Sequence, residues 1–277
     1  MSKAEIAEAY PNWLQKQRRP DVPEGKPFDA WQLRIMEASE LEELSPVQRL
    51  AYFSAFGNIG PSSHNVVPHR FRLDGEKNTI EVFADRATVL PESDANGTQV
   101  GVSIGCTILN IGRAARSYGM QSRFEGTVLG PNGINPLGED NDNPYISVGT
   151  MQVINGPISN EDPRLVKAML ERKVVRALYD HSALEPQIVA EMYKIAQDPR
   201  YASLQLHLLT DQSDLHIFGK SQAQGDREVY NRKAFIGELG EWFRLNNDTD
   251  SSTGMRGREF GFDERATTRY YKGFKEQ

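Results

Sequence analysis

Gly60-Pro-Ser-Ser-His-Asn-Val-Val-Pro-His-Arg-Phe71 concentrates polar chemistry in one short loop bracketed by Pro61 and Pro68. Within it Ser62, Ser63, His64 and Asn65 offer two hydroxyls, an imidazole and an amide, each able to exchange hydrogen bonds with a ligand. On the N-terminal side, Ser45-Pro46 reads as an N-cap followed by proline at the first helical position, opening a helix to about Phe56. On the C-terminal side, His69 to Leu73 and Thr79 to Ala84 alternate apolar and polar residues across Asp74-Gly75, which predicts a hairpin. The loop therefore joins a helix to a hairpin.

Further along, Val100, Ile104, Ile108, Ile111 and Ala115 recur at helical spacing, and Leu109 and Ala114 widen the stripe. The spacing predicts a central buried helix from Val100 to Tyr118. Gly101, Gly105 and Gly112 would let other backbone approach it, and Gly119 would stop it. Gly130 to Asn143 reads as a long loop, Tyr145 to Ile154 as a strand, and Gly156 to Asp162 as the boundary between two halves. Asp162-Pro163 caps a helix from Arg164 to Leu178, with Val166, Met169, Leu170 and Val174 inward. Ser182 to Ala196 and Glu228 to Leu245 read as helices, and Leu204 to Leu209 as a short strand. Residues 1–45 read as an N-terminal extension lying over the body, with a Pro- and Gly-containing interruption from Arg19 to Phe28. After Asn246 the pattern predicts no core.

The chain has 277 residues, long enough to bury roughly 75% of its unfolded surface. Its 32 basic against 38 acidic residues, with no basic cluster, exclude a nucleic-acid binder, which needs a cationic face. A single cysteine, Cys106, rules out an internal disulfide and fits a reducing compartment; its place on the apolar helix predicts a small buried hydrophobe. The first residues lack an apolar signal region, and the longest uncharged stretch, Ala95 to Gly112, is broken by polar residues. These features predict a cytoplasmic protein that neither spans a membrane nor binds nucleic acid.

Gly101-Val-Ser-Ile-Gly105 matches the nucleophile elbow of serine hydrolases, with Ser103 as nucleophile. The elbow needs an apolar strand before it, and Asn96-Gly-Thr-Gln99 is not one. No spacing singles out His181, His207 or His216 as partner, and helix packing accounts better for the glycines. Asp248-x-Asp250-x-Ser252 lacks the glycine and glutamate of a calcium loop. No metal site, P-loop or dinucleotide fingerprint is present. Glu171-Arg-Lys-Val-Val-Arg176 carries three cations. It reads either as a complement to a negative helix end or as an anion site with Arg172 and Arg176 four apart.

Taken together, Arg49-Leu-Ala-Tyr-Phe53, Gly60-Pro-Ser-Ser-His-Asn65, Pro68, Arg70-Phe-Arg-Leu73, Ala84-Asp-Arg86, Leu90-Pro91, Gly97, Ser103, Gly105, Asn110 and Gly119 resemble the nitroreductase-like flavoproteins. The closer likeness is to the twin-domain NAD(P)H nitroreductase group, in which two halves are fused. Arg172-Lys-Val-Val-Arg176, Leu239-Gly-Glu-Trp-Phe-Arg244 and Gly254 extend the likeness, which covers roughly residues 46–260. The resemblance implies an α+β fold of two nitroreductase-like halves, 46–156 and 157–277, each with an antiparallel-rich sheet flanked by helices around central buried helices. It implies an FMN-binding oxidoreductase that uses NAD(P)H to reduce a small organic acceptor, as a monomer or homodimer.

In single-domain relatives an Arg-x-Ser-x-Arg segment holds the FMN phosphate, and a Pro-Ser-x-x-Asn-x-Gln-Pro-Trp loop from the partner holds the ring and ribityl. Here the first half has the loop and the second half the arginines, which implies one composite site. Arg172 and Arg176 would pair with the phosphate, while Ser62, Ser63 and Asn65 would bond the flavin. The resemblance assigns no residue to catalysis, and His64 would stabilise the loop. Val67-Pro68-His69 replaces Gln-Pro-Trp, Val174 replaces the hydroxyl between the arginines, and twin-domain relatives continue with a further strand and helix. The alternative reading is a degenerate flavin-sequestering or interaction protein of the same fold.

Overall fold

Ser45 does cap the first long helix. In the computed structural model, which describes residues 33–126, 143–156, 164–172, 174, 182–199, 202, 205–248 and 253–275, its hydroxyl accepts from Gln48 N while Gln48 returns a bond to Ser45 N. A short helix α1 (Ala38–Glu42) precedes it, and α2 runs Pro46–Asn58. The hairpin follows as β1 (His69–Asp74) and β2 (Thr79–Asp85), its turn tightened by Asp74 Oδ1 accepting from Glu76 N and Lys77 N at 3.0 Å. Helix α3 spans Thr98–Ser117, and β3 (Met120–Gly126) and β4 (Tyr145–Asn155) complete an antiparallel sheet ordered β1-β2-β4-β3.

One face of this sheet is apolar and packs on α2 and α3. Ile80, Val82 and Ala84 of β2 face inward with Val148, Met151 and Val153 of β4. Val148 and Met151 lie an odd number of residues apart, so strict alternation would expose one of them. The register shift between Val82 and Phe83, which skips Val148, keeps both inside. Gly149, with φ +154°, makes the bulge possible: a Cβ there would lie 2.4 Å from Glu125 O.

Helix α3 buries a single stripe: Val100, Ile104, Ile111, Ala114 and Ala115 are inside, while Val102 and Leu109 are exposed. It is therefore amphipathic, not buried round its girth as the sequence predicts: among the described elements α2, β3, the helix α4 (Arg164–Glu171) and the Ser63–Asn65 turn pack on it and leave one side open. Gly112 serves close approach, its pro-Cβ position 2.8 Å from Ser122 Oγ, whereas Gly105 faces open space. Asp94, not a residue at the helix start, caps α3 by accepting from Gln99 N at 3.0 Å and Val100 N at 2.9 Å.

Leu33, Met36 and Leu41 belong to the core, so the described end of the N-terminal extension is integral to it. Two tyrosines hold it there. The Tyr52 and Tyr118 hydroxyls lie 2.9 Å apart, Met36 N donates to Tyr52 Oη at 3.0 Å, and Tyr118 Oη donates to Met36 O at 2.8 Å. Burial pushes both phenols above their ordinary pKa, so they remain neutral donors.

Beyond residue 164 the described chain is mostly helical: α4, α5 (Pro186–Ala196), α6 (Gln212–Tyr230), α7 (Lys233–Trp242) and α8 (Glu264–Lys275). Among the described residues of this part the strands are β5 (Phe243–Arg244) and β6 (Met255–Arg256), paired in parallel. The resemblance predicts an antiparallel-rich sheet here; residues 205–209 carry no strand pairing. Residues 246–275, for which the sequence predicts no core, hold an aromatic cluster in which the Phe262 and Tyr270 rings stack at 4.7 Å. The cluster continues through Phe243, Phe260 and Phe274. The fold as described is mixed α/β around one antiparallel four-stranded sheet. No described helix is long and apolar enough to cross a membrane.

Candidate functional site

The loop after α2 is built on strained backbone. His64, Asn65 and Val67 have φ of 49°, 55° and 51°, the left-handed region that costs a β-branched residue most. Local bonds hold it: Asn65 N donates to Ser62 O at 3.1 Å, Val67 N donates to Ser62 Oγ at 3.2 Å, and Arg70 Nη1 donates to Val67 O at 3.0 Å. Strain retained this way marks a segment whose shape is imposed by its surroundings.

Three of those surroundings come from distant sequence. Ser63 Oγ donates to Gln99 Oε1 at the start of α3. Asn65 Nδ2 donates to Gly254 O at 3.1 Å, and Gly254 N donates back to Asn65 O at 3.0 Å. Gly254 has φ +87°, and a Cβ there would lie 2.6 Å from Trp242 O, so only glycine suits the position. Finally, Arg172 Nη2 donates to Ile59 O at 2.9 Å, at the base of the loop.

Arg172 follows α4 directly, and Val166 and Met169 of α4 are buried in the main core. This packing aims the guanidinium at the C-terminal end of α2, whose cap is Ile59. The interaction with a negative helix end, one of the two readings of the cation run, is thus made with another helix than its own. Burial pushes the half-buried guanidinium below its ordinary pKa, partly opposed by Cys106 nearby. Cys106 is half-buried, not the buried hydrophobe expected, because it lies on the edge of the α3 stripe.

Ser62, Ser63, Asn65 and Arg172 therefore gather around one loop, and Arg176 falls outside the described residues, as do residues 130–142 of the loop read from Gly130 to Asn143, the Asp162-Pro163 cap and His181. Two further anchors escape sequence reasoning, Gln99 and Gly254, because nothing local signals a contact across 36 or 189 residues. A third link joins the same regions: the buried carboxylate of Glu238 accepts from Glu92 N at 2.8 Å and Ser93 N at 3.1 Å.

Below the loop, His69 is 3% exposed, between Asn58 Oδ1 at 2.8 Å from Nε2 and Thr107 Oγ1 at 2.9 Å from Nδ1. Burial and then the neighbouring Arg70 charge push its pKa down to about 3. It is a neutral hydrogen-bonding strut. Ser103 lies inside α3, 5% exposed, with its hydroxyl donated to Gln99 O at 2.7 Å. It does not occupy a strand-to-helix turn, and His207 and His216 are exposed elsewhere.

A cavity of about 440 Å³ lies away from this loop, on the open sheet face, lined by Lys77, Thr79, Arg123, Glu125, Thr150 and Gln152. Among the described residues no group of three His, Cys, Asp or Glu side chains could hold a metal ion. No family model matches the chain, and no curated protein matches it significantly.

Proposed function

We propose that this protein is an FMN-binding oxidoreductase of nitroreductase-like fold, reducing a small organic acceptor at the expense of NAD(P)H. The observation that carries the reading is the Arg172–Ile59 contact, which sets a cation from beyond residue 157 against the hydroxyl- and amide-bearing loop. Arg172 would hold the phosphate through charge-assisted bonds, with Arg176 as the second cation, and Ser62, Ser63 and Asn65 would orient the ring and ribityl. When bound, FMN supplies the hydride relay between nicotinamide and acceptor. The chain's own part is to fix the loop, which Gln99 and Gly254 do from two sides.

A second reading, flavin held without turnover, draws on the same contacts. Ser63 and Asn65 already spend donors within the chain, so fewer remain to tune a ring. The test is an absorbance spectrum of the purified protein before and after FMN addition and desalting. Flavin bands retained by the protein and bleached by NAD(P)H support the enzyme. Retained but unreactive flavin supports sequestration, and a colourless protein overturns both. Arg172→Ala should weaken FMN binding roughly tenfold to a hundredfold with the fold unchanged, as expected for a lost charged hydrogen bond. Unchanged affinity would remove Arg172 from the site.

A further inference from the structure

Glu238 begins a continuous chain of hydrogen bonds that ends on the 62–67 loop. Its carboxylate, on α7 and 8% exposed, accepts from Glu92 N at 2.8 Å, from Ser93 N at 3.1 Å and from the Ser93 hydroxyl. Ser93 makes the next link through its carbonyl, which accepts from Gln99 Nε2 at 3.0 Å. Gln99 Oε1 in turn accepts from Ser63 Oγ. Buried Asp94 ties the turn to the start of α3 by accepting from Gln99 N and Val100 N, so neither slides past the other. Helix α7, the 92–94 turn and the first turn of α3 thus converge on one hydroxyl of the loop.

The chemistry of each link sets the direction of the last. A carboxylate only accepts, so both backbone N–H groups and the Ser93 hydroxyl point at Glu238. A carbonyl also only accepts, so Gln99 turns its NH2 to Ser93 O and its amide oxygen to Ser63. A serine hydroxyl has one proton, and that of Ser63 is engaged with Gln99. Ser63 therefore presents lone pairs to a ligand. Ser62 is the reverse: its oxygen accepts from Val67 N, which leaves its proton for a ligand. Both serines are half-buried, within reach of a molecule seated on the loop.

We propose that Gln99 and Glu238 are positioning residues of the site, which lock Ser63 as an acceptor. Ser63 then selects a donor group of the ligand, an N–H or O–H, over a carbonyl or phosphate oxygen. The inference rests on the FMN reading of the loop, and FMN carries such donors in its ring imide and its ribityl hydroxyls. Gln99→Lys reverses one bond of the chain. The ammonium can donate to Ser93 O and to Ser63 Oγ together, so Ser63 must turn its proton toward the ligand. A cation added beside an anionic ligand would by itself tighten binding, and the reversal predicts the opposite sign.

The test titrates FMN into the full chain by fluorescence quenching for the native protein, Gln99→Lys, Ser63→Ala and the double variant. Amide exchange is measured on the ligand-free native and Glu238→Gln chains. Gln99→Lys should weaken FMN binding roughly threefold to tenfold, as expected for one hydrogen bond, and should add no loss in the Ser63→Ala background. In Glu238→Gln, exchange should quicken at residues 92–93 and in the 62–67 loop. Equal or tighter FMN binding by Gln99→Lys, or the same loss with and without the Ser63 hydroxyl, would overturn the proposal and leave the FMN reading standing. A native chain that holds no FMN would overturn that reading instead. Unchanged exchange in the 62–67 loop of Glu238→Gln would then overturn the positioning as well, whereas quickened exchange would support it.

Discussion

The regions before and after residue 157 bury their apolar residues differently. In the first, Tyr52, Phe53, Phe56, Ile80, Ile104 and Ile111 are at most marginally exposed, packed between two helices and one face of a sheet. In the second, α5 and α6 bury no residue, and among its described residues the buried ones belong to α4, which joins the first core, or to α7, α8 and the segment between them. A sheet face offers one broad apolar plane that organises everything laid on it, while separate helices each need their own partner. Among the described residues the second region leans on the first through the buried face of α4 and through hydrogen bonds that include Arg172 to Ile59, Gly254 with Asn65, Glu238 with the Glu92–Ser93 backbone and Arg232 to Glu92.

The contrast breaks most visibly under truncation. Phe56→Ala, at a fully buried position, should cost about 3–5 kcal/mol by chemical denaturation. Ile195→Ala in α5, 60% exposed, should cost under about 1 kcal/mol, and equal losses would mean that the two regions share one core. Acid should act on the first region through His69. Its folded pKa near 3 lies below the ordinary value near 6.5, so the unfolded chain binds the extra proton in that window. Stability from this group is complete above about pH 6.5 and falls as pH drops toward 3, at up to about 1.4 kcal/mol per pH unit. Imidazole NMR should show His69 untitrated at pH 5, and the slope should flatten in His69→Gln.

At the junction, Gly254→Ala forces a Cβ against Trp242 O and an L-residue into φ +87°, costing about 1–3 kcal/mol. Amide exchange should quicken in the 62–67 loop as Asn65 loses its partner; an unchanged loop would show that the second region does not shape it. The smallest effect has the opposite sign. Gly105→Ala in α3 meets open space and should raise stability by about 0.5–1 kcal/mol in thermal unfolding.

Local physics made much of this legible. The Ser45-Pro46 helix start, the Asp74-Gly75 hairpin and the α3 stripe each depend on residues within one or two turns, and each stands within two residues of its reading. Helix α6 escaped because its two glycines and many polar residues blur the period, and residues 246–275 because their aromatic rings meet only through chain reversal. The amphipathic limit of α3 also lay beyond reach, since Leu109 is apolar in sequence yet exposed on the side that the described neighbours leave open.

By itself the sequence determined that Ser62, Ser63 and Asn65 share a loop, and that a helix begins at Arg164, because those facts follow from adjacency and periodicity; that it ends at Glu171, just before Arg172, came from the structure. Tertiary structure alone decided that Arg172 reaches the base of that loop and that Gly254 and Gln99 hold it. It also decided that Val67 stays in a conformation its own side chain disfavours. A hydrogen bond across more than a hundred residues leaves no local trace: it is fixed by which apolar faces bury together, and polar partners are matched only after that packing is settled.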